Sequence, residues 1–363
     1  MKIYSIISKE NKFKSQFKKE KAMKAGVFFG KNDLKVMEIE KPTPKSGEVL
    51  IKVMACGICG TDVHIFCGDS GCFPTPSGTV LGHEFSGIVE SVGKNVKGVK
   101  PGDRVCVDPN QLCNECFYCK SGIGHFCEGM TGIGTGVNGG FAEYCVVPES
   151  QVYKIADTTS YEAAAMTEPV ACCVHGIDMC NISCGDTVAV IGGGMIGMIM
   201  LQLAKISGAG KLIMIEPVKE KREVAKKLGA DLSIDPINEN VKSVLAENGI
   251  ERISCVIECV GRTNTMEQAI DIAGKNSVVM MFGLTAPDDV ISIKPFEIFK
   301  KEIVLKASFI NPYTQKRALE LIDNGKIDVT SIVYACEGLE KLPEILADGK
   351  LRAKGKFIIN PQK

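Results

Sequence analysis

The chain has 363 residues, enough for two domains and for a large core that needs no disulfide staples. Lys plus Arg and Asp plus Glu each number 43, so the formal net charge is zero, which leaves no electrostatic case for nucleic acid or an anionic membrane as partner. A composition of 45% hydrophobic and 24% charged residues excludes a chain disordered along its bulk.

In chain order, residues 1–22 hold seven lysines and two glutamates with no apolar period, which predicts a disordered basic tail. The run Met1-Lys2-Ile3-Tyr4-Ser5-Ile6-Ile7 is too short for a secretory signal. From residue 23 to about 148, strand-like runs at 27–29, 49–53 and 104–107 alternate with turn signals such as Lys100-Pro101-Gly102-Asp103, the pattern of a β domain. From about 171 to 308 strands alternate with helices. Strands are predicted over 188–191, 212–215, 255–258, 277–282 and 303–307, and a helix over 219–228 that stops at Gly229. This alternation predicts an α/β domain with a doubly wound parallel sheet. A helix over 314–324 and short strands follow, too few for a third domain, and are expected to return to the first. The expected division is a tail at 1–22, one domain from 23–170 and 309–363, and a second from 171–308. Residues 187–204 carry no charge over 18 positions, but a β-branched start and four glycines read as strand, turn and buried helix rather than a membrane span.

Three groups of residues carry chemistry. Gly192-Gly193-Gly194-Met195-Ile196-Gly197 follows a β-branched strand and opens an apolar helix, the context that makes G-x-G-x-x-G a dinucleotide loop. The helix N-terminus offers N–H groups to phosphates. Glu216, at the end of the next strand, suits the adenosine ribose hydroxyls and would repel a 2′-phosphate, so NAD is expected over NADP. Cys113, Cys116, Cys119 and Cys127 have the spacing of a closed four-thiolate shell, which suits structural zinc; a [4Fe–4S] cluster and a set of plain buried thiols are the alternatives. Seventeen cysteines without a signal segment read as metal ligands of a cytoplasmic protein more readily than as disulfides. The third group is Cys56-Gly57-Ile58-Cys59-Gly60-Thr61-Asp62-Val63-His64, Gly82-His83-Glu84 and Met166-Thr167-Glu168-Pro169. It offers thiolate, imidazole and carboxylate donors, an incomplete shell of the catalytic zinc type.

With these motifs in this order the sequence resembles the zinc-dependent medium-chain alcohol and polyol dehydrogenases. Residues 82–96 fit that family's G-H-E-x2-G-x5-G-x2-V pattern, and the likeness runs from Met23 to Gln362. The resemblance implies a GroES-like β domain plus a Rossmann domain, two zinc ions per chain (one catalytic, one structural), NAD, a small alcohol as substrate, and a homo-oligomer, dimer or tetramer. It also implies roles. Cys59 and His83 would hold the catalytic zinc, with Glu84 as a third or exchanging ligand and Glu168 binding the zinc or its water. Thr61 would accept the alcohol proton, His64 would end the relay, and Asp62 would orient the His83 ring. The Thr61–Phe66 stretch resembles threonine dehydrogenase, and Glu168-Pro169 fits polyol, butanediol and threonine dehydrogenases alike. The expected reaction is hydride transfer from a secondary alcohol, a polyol or sugar alcohol including phosphorylated ones, to NAD. The alternatives are L-threonine 3-dehydrogenase, butanediol dehydrogenase and a non-enzymatic NAD-binding structural protein.

Overall fold

The computed structural model describes residues 22–69 and 74–363, so the expected basic tail lies outside the described residues except for Ala22. These residues form two units. The first takes the chain up to Cys113, then Gly129–Ala165 and Ala335–Lys363; the second takes Asn114–Glu128 and Met166–Tyr334.

The first unit is built on a seven-stranded sheet centred on the strand Glu48–Gly57. That strand pairs antiparallel with Glu84–Val92, with Tyr144–Pro148 and with the final strand Lys356–Asn360. The end of the chain therefore pairs into this unit. A three-stranded sheet of Asp33–Glu40, Ala22–Gly30 and Thr79–Val80 packs beside it. Val49, Ile51, Val53, Phe85, Phe141, Leu342 and Ile359 fill one buried apolar cluster. The register of the central strand sets Gly57 opposite Glu84 on one side and Ile358 on the other.

The second unit holds a six-stranded parallel sheet: β1 (Thr187–Ile191), β2 (Lys211–Ile215), β3 (Leu232–Ile234), β4 (Cys255–Glu258), β5 (Val278–Met281) and β6 (Val304–Ala307), in the order β3-β2-β1-β4-β5-β6. β1 and β4 are adjacent, so the strand order reverses between them; ligands bind at such a reversal, beyond the carboxyl ends of the strands. β1, β2 and β4 are apolar along nearly their whole length because both faces are covered. Gly192 leaves β1 with φ +98°, a left-handed conformation that favours glycine. It feeds the helix Met195–Ile206, whose N-cap Gly194 has no side chain to cap it. Among the described residues no helix is long and apolar enough to cross a membrane.

Two local expectations differ from the structure. The run 60–67, read as part of a β region, is the helix Gly60–Cys67, started at Cys59 and closed by Gly68 in a left-handed conformation. The helix Gln315–Asp323, expected to belong with the returning chain, joins the second unit, where the Thr314 hydroxyl donates to the Ala171 carbonyl at 2.7 Å. The units thus part at Ala165/Met166 and Tyr334/Ala335 rather than at 170/171 and 308/309, and the segment Asn114–Glu128, expected within the first domain, groups with the second unit.

The turn after β1 yields a stability prediction. A Cβ on Gly197 would lie 1.8 Å from the Gly192 carbonyl oxygen, a backbone atom that cannot swing away. Gly197→Ala should lower stability by about 1–3 kcal/mol in chemical denaturation, the cost of overpacking. An unchanged denaturation midpoint would contradict this packing.

Candidate active site and metal centres

The first centre grows from the register at Gly57. Cys59 follows that strand by two residues and caps the helix Gly60–Cys67, its own N–H donating to Asp62 Oδ2 at 2.8 Å. Glu84 opens the neighbouring strand and His83 immediately precedes it, and one donor atom each from Cys59, His83 and Glu84 lies within 4.8 Å of the others. Gly57 makes room for them: a Cβ there would fall 2.1 Å from Glu84 Oε2 and 2.9 Å from Lys356 Cε. His83 Nδ1 lies 3.4 Å from Asp62 Oδ1, and both residues are buried. The Nδ1 atom thus faces a carboxylate, the setting that orients a metal-binding imidazole by its other nitrogen. Glu84 Oε2 accepts from Lys356 Nζ, which also donates to the Ile58 carbonyl at 2.8 Å. The second oxygen of Glu84, Oε1, is buried without a hydrogen-bond partner.

The electrostatics agree with a cation site. Burial alone would lower the basicity of His83, but the charges of Asp62 and Cys59 outweigh it and hold its pKa well above the usual histidine value. Burial likewise opposes the charge of Lys356, yet Glu84 and Cys59 raise its pKa above the ordinary lysine value. Both shifts run against desolvation, which marks a pocket with an excess of negative charge. A thiolate, an imidazole and an orphaned carboxylate oxygen in such a pocket fit a zinc ion with an incomplete protein shell.

The other predicted residues fall as follows. Thr61 is half-buried in the first turn of the helix Gly60–Cys67, and His64 lies three residues further on, where positions share a helix face. His64 Nδ1 sits 2.9 Å from Asp69 Oδ2 in an exposed pair. Glu168 belongs to the second unit. It is buried in the first turn of the helix Thr167–Cys180 and accepts from Cys172 Sγ at 3.3 Å. Neither Lys356 nor Asp69 was anticipated from the sequence.

The cysteine loop brings Cys113, Cys116, Cys119 and Cys127 together, with all four sulfurs within 4.8 Å of one another. Cys116 caps the short helix Phe117–Lys120, and the turn Gly124–Phe126 returns the chain to Cys127. Four sulfurs gathered this closely fit a closed thiolate shell. Beside it the Phe126 ring stacks on Phe309 at 6.1 Å, and His125 meets His175 edge to face at 5.1 Å.

In the second unit Glu216 directly follows β2 and is buried. Its Oε2 accepts from the Gly193 N–H at 2.6 Å and its Oε1 from the Val218 N–H at 2.8 Å, so it ties the β2 end to the glycine loop. A Cβ on Gly194 would meet nothing within 4 Å, so the loop backbone is open to a ligand there.

Comparison with known proteins agrees with this geometry. Two family models match, the alcohol dehydrogenase GroES-like domain over residues 45–157 and the zinc-binding dehydrogenase domain over residues 196–324. The chain is 35% identical over 313 residues to D-arabitol-phosphate dehydrogenase of Enterococcus avium, covering 84% of this chain and 87% of that one. It is 31% identical over 333 residues to D-arabinitol dehydrogenase 1 of Uromyces fabae, covering 91% and 94%. A solved structure described as a zinc-binding dehydrogenase from Sinorhizobium meliloti 1021, bound to NADP, superposes with a TM-score of 0.90 at 34% identity, covering 94% of this chain and 99% of the other. The chain therefore belongs to the zinc-dependent medium-chain alcohol and polyol dehydrogenases, as the motifs implied. Its fold is the family's GroES-like and Rossmann pair, and its activity is that of a zinc- and nicotinamide-dependent alcohol or polyol oxidoreductase.

Lys356 provides the test of the first centre's electrostatics. Replacing it by Met removes the cation and leaves a buried carboxylate, a change that costs ~3–5 kcal/mol. Chemical denaturation of Lys356→Met should show a loss on that scale, partly restored by the double change with Glu84→Gln. Wild-type stability in the single variant would contradict the buried pair.

Proposed function

We propose that this enzyme oxidises a secondary alcohol of a small polyol or sugar alcohol, phosphorylated forms included, and passes the hydride to NAD. The observation that carries the proposal is the cluster of Cys59, His83 and Glu84 with its orphaned buried carboxylate oxygen. The relatives' named substrates, arabitol phosphate and arabinitol, support the substrate class. In this reading Cys59 and His83 hold a catalytic zinc, Glu84 and Glu168 supply exchangeable carboxylates, and Cys113, Cys116, Cys119 and Cys127 hold a structural zinc. When bound, zinc acidifies a ligated hydroxyl and the nicotinamide takes up the hydride.

The chain's own residues do the rest. Thr61 accepts the substrate proton, and His64, exposed and braced by Asp69, hands it to solvent. Asp62 holds the His83 ring. Gly192, Gly194, Met195, Ile196 and Gly197 receive the pyrophosphate on the helix N-terminus, and Glu216 selects NAD because its carboxylate repels a 2′-phosphate. The thiolate ligand sets favour a reducing, cytoplasmic setting. A homo-oligomer is supported by β6, an edge strand with Val304 46% exposed, preceded by the helix Pro295–Lys301 with Phe296 and Phe299 at 68% and 78%.

A panel of polyols, polyol phosphates, butanediol and L-threonine, each with NAD and with NADP, tests the reading. Reduction of NAD by a polyol or its phosphate is expected, with NAD preferred. Thr61→Ala should lower kcat by at least ~100-fold at pH 7, and His64→Ala by less, because water can replace the outer end of a relay. Oxidation of L-threonine in preference would favour the threonine dehydrogenase reading. Wild-type kcat in Thr61→Ala would remove the assigned proton path.

A further inference from the structure

We propose that Glu258 is a positioning residue for the nicotinamide half of the cofactor, acting through the loop Cys259-Val260-Gly261; this rests on the dinucleotide reading of the second unit. Glu258 is the last residue of β4 and is fully buried. Its Oε1 accepts from the Val260 N–H at 2.8 Å, the Gly261 N–H at 3.0 Å and the Thr265 hydroxyl at 2.8 Å, and its Oε2 takes a longer bond of 3.3 Å from Gly261. Its main-chain carbonyl accepts from Phe282 and Gly283 N–H, both at 2.9 Å. One residue thus ties together the loops that follow β4 and β5 and the first turn of the helix Thr263–Ile272.

Those loops lie where the strand order reverses. The Cys259 N–H donates to the Ile191 carbonyl at 2.9 Å, and Val260 Cγ2 lies 2.6 Å from where a Cβ on Gly192 would stand. Val260, 39% exposed, therefore forms a wall against the glycine loop at the crevice between β1 and β4. A dinucleotide spans such a crevice with one mononucleotide on each half of the sheet. Glu216, directly after β2, marks the adenosine side, so the loop after β4 faces the nicotinamide side.

The chemistry explains why a carboxylate stands here. An ionised carboxylate is acceptor only, and the donors that converge on it are all N–H or O–H groups. A glutamine keeps one accepting oxygen but sets an NH2 against the Gly261 N–H; an alanine leaves the loop's inward N–H groups unpaired, and the wall loses its fixed position.

Isothermal titration of NADH, and of AMP as a probe of the adenosine half alone, tests this. Glu258→Ala should raise the NADH dissociation constant at least ~10-fold, Glu258→Gln by a smaller factor, and both should leave AMP binding within ~2-fold of wild type. KM for NAD should rise in step with the NADH dissociation constant. If Glu258→Ala does not fold, Thr265→Val carries the test, with a smaller rise of ~3-fold in the NADH constant and none for AMP. Unchanged NADH affinity in the folded variants would overturn the proposal, as would equal weakening of NADH and AMP, the mark of a merely structural residue. A wild type that binds neither ligand would overturn the dinucleotide reading as well.

Discussion

The first unit depends on the burial of Asp62, His83, Glu84 and Lys356 in one small volume beside Cys59. Charges taken from water are costly unless each finds a partner. Lys356 meets one oxygen of Glu84, and Asp62 meets the Cys59 N–H and faces His83, but the other oxygen of Glu84 is left without a partner. A divalent cation held by Cys59, His83 and Glu84 would balance these charges, and the strand register at Gly57 makes room for that donor set. The need for a cation thus links the local backbone geometry to the family's zinc chemistry.

The second unit solves a different problem with related means. A parallel sheet gathers its carboxyl ends along one edge, where the loops beyond them expose N–H groups. Two glutamates at strand ends, Glu216 directly after β2 and Glu258 at the end of β4, each take up two such groups, Glu216 from the loops after β1 and β2 and Glu258 from the loop after β4. They sit on opposite sides of the reversal between β1 and β4. The glycine loop is left open at Gly194 for an anion, while its neighbours are fixed.

What was legible in the sequence was what is local in the chain. The four cysteines within fifteen residues, the glycine loop between strand and helix, and the His83-Glu84 pair all declare themselves through spacing. The parallel strands were legible because burial on both faces leaves continuous apolar runs such as Thr187–Ile191. Long-range partners were not. Lys356 is 272 residues from Glu84 and reads as an ordinary lysine before an apolar strand. The helix Gly60–Cys67 is short and sits among strands, with the polar Asp62 on its buried side, so periodicity gave no sign of it. The attachment of Gln315–Asp323 to the second unit turns on contacts such as Thr314 to Ala171, which no local pattern encodes.

The most direct test of the cation's place in the first unit is the zinc content of the purified protein beside that of Cys59→Ala. Two zinc ions per chain are expected in the wild type and one in a folded, inactive Cys59→Ala protein, the remaining ion held by the closed cysteine loop and slow to exchange with chelator. Equal zinc content in the two proteins, or full turnover by Cys59→Ala, would contradict it.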